Sequence, residues 1–124
     1  MSVALGHSAL HGRGVFAQRA FREGEVVERA PVLVVPARQL ADLDRTVLYD
    51  YYYSWNQDQD AALAMGLGSF YNHAVHPNAN YFQREADGVI DYVALRDIAA
   101  GEEITIHYNG DPGDPGPVWF QERK

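Results

Sequence analysis

The sequence predicts a mainly β fold with little helix. Short runs rich in Val, Ile and aromatic residues alternate with turn residues, as at Arg22–Glu25 and Asp87–Gly88. Only "ARQLADLDRTVL" spaces its apolar residues like a helix, with Leu40, Leu43 and Val47 on one side. Hydrophobic residues make up 47% of the 124 positions. This composition is typical of globular proteins, and the length fits one domain.

The predicted strands follow one another with few interruptions. Residues 14–21 and 26–36 form a strand pair that turns at Gly24, and Pro31 splits the second strand because proline cannot donate to a sheet. The aromatic run "YDYYYSW" is expected to be a strand, followed by the polar turn "NQDQD". Residues 80–98 predict a hairpin, "EITIHY" a final strand, and "NGDPGDPGP" a loop.

The net charge and the amino-acid composition exclude several classes of function. The net charge is −7, which argues against a nucleic-acid partner and favours a cationic partner or simple solubility. The chain has nine arginines and a single lysine, Lys124, and no cysteine. Absence of cysteine excludes disulfides, a thiol nucleophile and zinc held by cysteine. No apolar run approaches the roughly 18 residues that a membrane helix needs, and we expect no signal peptide.

Two common kinds of site are not supported by the residue pattern. The histidines His73, His76 and His107 lack the regularly spaced carboxylate that usually completes a His-based metal site, so no metal is predicted. Ser69 does not lie in a G-x-S-x-G motif. The eight tyrosines point elsewhere, because aromatic ring faces attract ammonium and sulfonium groups.

Four motifs occur in a fixed order: "GRGVFA", "FREGEVV", "NHAVHPN" and "ALRDIAAGEEITIHY". Together they resemble the SET-domain protein lysine methyltransferases, most closely the minimal standalone viral SET proteins. The resemblance covers about residues 12–108. It implies a β-clip-like fold of small sheets with a threaded pseudo-knot near the C-terminus. It also implies a single SET domain over residues 1–124, with a core at 12–108 and an aromatic lid segment at 109–124.

The resemblance also assigns roles to individual residues. Tyr108 would be the catalytic phenol, and Tyr51 would line the methyl-transfer site. The cofactor would be S-adenosyl-L-methionine. It would be bound by Arg13, Gly14, Asn72 and His73. The substrate channel for a lysine side chain would be formed by Tyr71, Ile106, Trp119 and Phe120.

The chain departs from the usual family pattern at four positions. Ser69 replaces an arginine, Ala74 a serine, and His107 a residue that is often aspartate. Ile106 stands where an aromatic residue is common, which leaves the degree of methylation open. Two alternatives follow: a non-catalytic SET module that binds a basic peptide, and a small β-rich domain related to the SAF type.

The resemblance further predicts the partners and the compartment. The substrate would be a lysine-containing protein or peptide such as a histone tail, with no direct nucleic-acid binding and no membrane. The viral relatives suggest a homodimer. A cytoplasmic location is expected, or the nucleus and chromatin of a host.

Overall fold

A computed structural model describes residues 2–114, and the fold is mostly β, as predicted. Short strands and helical turns follow one another along these residues. The strands are β1 (Val3–His7), β2 (Arg13–Ala17), β3 (Val26–Val35), β4 (Tyr53–Ser54), β5 (Ala61–Ala64), β6 (Asn72–His73), β7 (Ala79–Arg84), β8 (Val89–Ala94) and β9 (Glu103–Ile106), and the α-helix is α1 (Leu40–Leu43).

The described strands form two sheets, in the orders β1-β2-β9-β6 and β4-β5-β3-β8-β7. In the larger sheet, β3 pairs with β8 up to Pro31 and with β5 from Val32 onward. The predicted split at Pro31 therefore marks the position where β3 changes its partner. The proline carbonyl still accepts a hydrogen bond, from Met65 N at 2.8 Å.

The predicted hairpin is confirmed, with β7 and β8 paired along their full length and Gly88 in a left-handed conformation at φ 65°. A glycine fits there because side chains rarely adopt that conformation.

The smaller sheet contains the crossing that the family resemblance predicts. β9 pairs antiparallel with β2 and parallel with β6, so Asn72 lies opposite Thr105 and His73 opposite Ile106. Beyond β6, Asn78 binds the same strand with both its backbone and its side chain: Thr105 N donates to Asn78 Oδ1 at 2.8 Å, and Asn78 Nδ2 donates to the Glu103 carbonyl at 2.8 Å. Two distant segments are thus held together at one place.

Three predicted elements are wrong in detail. Residues 14–21 and 26–36 do not pair with each other, because β2 lies in the smaller sheet and β3 in the larger. The run "YDYYYSW" is not one strand, because residues 47–50 form a 3₁₀ turn and only Tyr53–Ser54 pair as β4. The Thr46 side chain accepts a hydrogen bond from Leu48 N, which starts that turn. The predicted helix is broken into a 3₁₀ turn at Ala37–Gln39 and the four-residue α1, and neither has a buried residue. None of the helices among residues 2–114 has the length or apolar character needed to cross a bilayer.

The core lies between the two sheets and is built from small and β-branched residues around a few rings. The largest fully buried side chains include Tyr92, Phe21, Ile90, Ile98 and Ile104. Their close packing fixes β8 and β9, the strands on which the candidate site depends.

Candidate active site

The site is built around Tyr108, two residues beyond the end of β9. Its hydroxyl donates to the Tyr71 carbonyl at 2.8 Å, and its backbone N–H donates to His73 Nδ1 at 3.1 Å. The Tyr81 hydroxyl donates to the Tyr108 carbonyl at 3.0 Å. Burial raises the pKa of Tyr108 to about 12. The phenol therefore keeps its proton at neutral pH, and both ends of the residue are fixed.

Two cavities meet at this phenol. The larger, which we call the tyrosine cleft, has a volume of about 450 Å³. It is lined by Tyr49, Tyr52, Tyr53, Ser54, Tyr81, Tyr108 and Asn109. The smaller, which we call the narrow pocket, has about 20 Å³ and is lined by Asp50, Tyr51, Tyr52, Tyr53, Ser69, Tyr71 and Tyr108. Both cavities are lined by Tyr52, Tyr53 and Tyr108, so Tyr108 lies between the tyrosine cleft and the narrow pocket.

Asn72 connects the predicted G-x-G turn to the crossing. Its Nδ2 donates to the carbonyls of His11 and Arg13, at 3.0 and 3.1 Å, and to Glu103 Oε2 at 2.8 Å. A Cβ on Gly14 would overlap Glu103 Oε2 and lie 2.9 Å from Asn72 Nδ2. Glycine at position 14 is therefore required by the close approach of β2 to these two side chains.

Two imidazoles lie beside Tyr108. His107 is fully buried, and its ring meets the edge of the His73 ring at a centroid distance of 4.4 Å. Burial, followed by the charge of His107, lowers the pKa of His73. Because His73 Nδ1 accepts a backbone hydrogen bond, its neutral form is the one that fits the structure.

A partly buried network supports the loop that carries Tyr71. Glu28, on β3, accepts from the Tyr71 hydroxyl at 2.8 Å and from Leu67 N at 2.9 Å. The Tyr71 ring stacks on Tyr92 at 4.2 Å. The motifs did not point to Glu28, but one signal was present: a carboxylate within the apolar run "VVERAPVLVV" needs a partner when the strand is buried.

The other predicted site residues fall in different places. Tyr51 lies on the narrow pocket, as expected of a residue near the reaction. The Arg13 side chain is exposed, with its guanidinium 5.0 Å from the centre of the Phe70 ring. Ile106 is fully buried in the core and lines neither cavity, because β9 is covered on both faces. Trp119 and Phe120 lie outside the described residues.

Metal ligation is not indicated by the geometry of the described part of the chain. No group of three or more His, Asp or Glu side chains between residues 2 and 114 could hold a metal ion. The His107 nitrogens are both within hydrogen-bond distance of backbone groups, at Asp114 and Asn109.

Comparison with known families decides the class of the fold. The family model of the SET domain matches residues 12–109. The chain belongs to the SET-domain family. This match leaves no place for the SAF-type alternative.

Similar proteins extend the assignment to an activity. The chain is 36% identical over 112 residues to the Schizosaccharomyces pombe histone-lysine N-methyltransferase specific for H3 lysine 37, covering 90% of this chain and 71% of that protein. The family match and this relative show that the chain is an enzyme, a protein-lysine N-methyltransferase. That conclusion sets aside the non-catalytic alternative.

Two solved structures share the fold. A crystal structure of a Plasmodium falciparum protein described as a histone methyltransferase superposes with a TM-score of 0.71 at 26% identity. The superposition covers 88% of this chain and 98% of that one. The structure of ctPRC2 in complex with two forms of histone H3 altered at lysine 27 superposes with a TM-score of 0.75 at 26% identity. It covers 94% of this chain and 15% of the ctPRC2 chain.

Proposed function

We propose that this enzyme transfers a methyl group from S-adenosylmethionine to the side-chain amine of a lysine in a histone-like protein tail. One observation carries the proposal: the Tyr108 hydroxyl is fixed on the Tyr71 carbonyl at the boundary between the tyrosine cleft and the narrow pocket. The histone part is supported by the similar enzyme from Schizosaccharomyces pombe, which acts on histone H3.

The residues at the crossing fit the proposed cofactor. When bound, S-adenosylmethionine supplies a methyl group activated by a sulfonium. Asn72 is only 5% exposed, and its Oδ1 receives no hydrogen bond from residues 2–114. A buried amide oxygen without a donor favours a ligand that brings one, and the amino group of this cofactor is such a donor. Arg13, Gly14 and His73 would complete the binding surface.

The tyrosine cleft has the properties that a lysine side chain needs. Ring faces attract an ammonium group, and burial lowers the pKa of the amine from its usual value of about 10.4. No described residue lining this cleft is a carboxylate or an imidazole. The amine would therefore lose its proton to solvent, on entering the cleft, and no residue is required as a dedicated base.

Tyr108 would orient the amine. Because its own proton is donated to the Tyr71 carbonyl, the phenol oxygen keeps lone pairs that can accept an N–H from the substrate. Holding the amine in one orientation can supply roughly 7–11 kcal/mol of the barrier in such displacements. The partly buried Glu28–Tyr71 network maintains the carbonyl that sets this orientation.

The decisive experiment compares two matched variants. The enzyme is incubated with labelled S-adenosylmethionine and histones or an H3 tail peptide, and transfer is measured. Tyr108→Phe should lower kcat about 100-fold, in the range seen when one aligned hydrogen bond is removed from a reaction centre. Tyr92→Phe is the control, since Tyr92 lines neither cavity and its buried hydroxyl bonds the Tyr53 hydroxyl and the Gly68 carbonyl, not Tyr108. Equal rates for the two variants would refute the role of Tyr108.

The homodimer, the cytoplasmic or host-nuclear location and the absence of nucleic-acid binding stay predictions. Light scattering of the purified protein would measure whether it forms a homodimer. The net charge of −7 supports the absence of nucleic-acid binding, and a filter-binding assay with duplex DNA would test it.

A further inference from the structure

His107 makes contacts that no other residue at this site duplicates. It is fully buried at the end of β9. Its Nδ1 accepts a hydrogen bond from Asn109 N at 3.1 Å, and its Nε2 lies 2.7 Å from the Asp114 carbonyl oxygen. A carbonyl only accepts, so Nε2 must carry the proton. The ring is thus fixed as the neutral Nε2–H tautomer by two backbone groups.

These contacts close the loop that follows the catalytic tyrosine. Residues 108–114 leave β9 and return, since Gly113 N donates to the Val75 carbonyl at 2.6 Å and Gly110 N to the His107 carbonyl at 2.8 Å. His107 joins the start of the loop to its end. His73, which packs against His107, binds the backbone N–H of Tyr108. The rings of His73 and His107 therefore fix the backbone of residues 107–109.

We propose that His107 is a positioning residue: as the neutral Nε2–H tautomer it fixes residues 108–114 against the crossing and so keeps the Tyr108 phenol in place between the two cavities. The inference rests on the proposed role of Tyr108. It concerns a position at which this chain departs from the usual family pattern, where aspartate is common. An aspartate could accept from Asn109 N but could not donate to the Asp114 carbonyl.

Proton uptake at either ring opposes this arrangement. A proton on Nδ1 of His107 would point at Asn109 N–H, and one on Nδ1 of His73 at Tyr108 N–H. Two imidazolium ions with ring centroids 4.4 Å apart would also repel each other. The other titratable or charged groups around the pair are Tyr108, the Asp114 carboxylate, His76 beside Gly113, and Glu103 on β9.

The first test measures the tautomer of the His107 ring and needs no activity assay. Long-range ¹⁵N–¹H spectra of the whole chain at pH 7.5 should show His107 as the Nε2–H tautomer. The amide of Asn109 should exchange with solvent about tenfold faster in His107→Phe than in wild type, the effect expected for loss of one hydrogen bond. An Nδ1–H tautomer, or unchanged exchange, would overturn the proposal.

The second test uses two partial replacements. His107→Asn places an acceptor near the position of Nδ1, and His107→Gln places a donor near the position of Nε2. We expect kcat to fall about tenfold or more in His107→Phe, with KM for the peptide changed less than threefold, and to recover partly in His107→Asn.

The control is Ile104→Val, a buried position on the same strand with an aliphatic side chain. If His107→Phe matches Ile104→Val in kcat and in amide exchange, His107 only fills space and the proposal fails. If His107→Phe does not fold, the tautomer of His107 in wild type and the His107→Asn and His107→Gln variants still test the proposal. If wild type transfers no methyl group, the proposed function fails, while the spectra continue to test the contacts of His107.

Discussion

At the scale of single residues, Asp91 shows how this small fold tolerates a buried charge. The carboxylate is 2% exposed on β8, between β3 and β7. Arg29 binds both of its oxygens, at 2.6 and 2.9 Å, and Arg84 adds a contact at 3.3 Å. The hydrogen bonds from Arg29, above all, hold the pKa of Asp91 below its usual range.

Replacing Asp91 should destabilise the protein without changing its chemistry. Asp91→Asn removes the charge that both arginines face and replaces one of the two acceptor oxygens with an amide donor, so we expect a loss of about 2 kcal/mol in the free energy of unfolding. The control is Asp42→Asn, which breaks an exposed pair with Arg45 and should change stability little. Urea unfolding checks both. A loss for Asp91→Asn no larger than for Asp42→Asn would contradict this account.

His73 should make stability depend on pH. Because its pKa is lower in the folded state, the unfolded chain takes up the proton first as pH falls. Its contribution is fully present above about pH 6.5 and is lost as pH drops through the folded value. Urea midpoints measured from pH 7.5 to 5 should fall less in His73→Asn than in wild type. Gln18→Asn, at an exposed position that does not titrate, is the control and should keep the wild-type slope.

A motif names its own residues, so the sequence could point to residues that lie together, while their roles stay predictions. Asn72, His73 and Tyr108 were identified from two short motifs, and the structure brings them together at the crossing. Glu28 was missed because its partner Tyr71 is 43 positions away. Ile106 was placed in the channel by motif position alone, and the packing of β9 buries it instead.

At the scale of elements, the approach of β2 to β9 explains why β2 has no room for a side chain at position 14. Glu103 accepts from the Ser8 hydroxyl at 2.7 Å and from Asn72 at 2.8 Å, directly over Gly14. The carboxylate is thus pinned at the place where any side chain at position 14 would lie.

A double-mutant cycle tests this packing. Gly14→Ala should cost about 1–3 kcal/mol of stability through the overlap with Glu103. In combination with Glu103→Ala the overlap disappears, so the double variant should be more stable than the sum of the single effects by at least about 0.5 kcal/mol. Gly12→Ala has no atom within 4 Å of its Cβ and serves as the control, since it should be additive with Glu103→Ala. Additivity for Gly14→Ala would refute the close approach.

Strands and turns could be predicted where several local sequence signals agree. They could not be predicted where tertiary contacts determine the local structure. The hairpin of β7 and β8 combines alternating residues with an Asp-Gly turn, and both were visible. The tyrosine run reads as a strand by propensity, yet Thr46 begins a 3₁₀ turn there and the Tyr52 hydroxyl binds Asp44 at 2.8 Å. Contacts of this kind override a preference that concerns single residues.

At the scale of the whole molecule, the charge of −7 acts on how a basic substrate arrives. KM for an H3-like peptide with arginines beside the lysine should rise several-fold between about 50 and 300 mM salt, because salt shortens the range of the attraction. The value of kcat should stay the same, since charge attraction between separate molecules acts on how the peptide arrives and not on the bound complex. A peptide with serines in place of those arginines is the control and should show a flat KM. Equal salt dependence for the two peptides would contradict steering by charge.

The overall architecture could be predicted only through the family resemblance. Alternating strands and turns indicated a mostly β chain, but nothing in the local pattern pairs β6 with β9, which are separated by about thirty residues and run parallel. Such a pairing is decided by how the whole chain packs, and a short parallel pair has no local signature.

That crossing also bears on the order in which the protein is made. On a ribosome, Asn72 and His73 emerge well before the strand that they pair with, and so does the G-x-G turn that Asn72 binds. A nascent chain stalled before residue 103 would have most of the large sheet, but it would lack both Tyr108 and the strand that pairs with Asn72 and His73. The enzyme should therefore gain its activity in one late step, and no product that ends before residue 108 should transfer a methyl group.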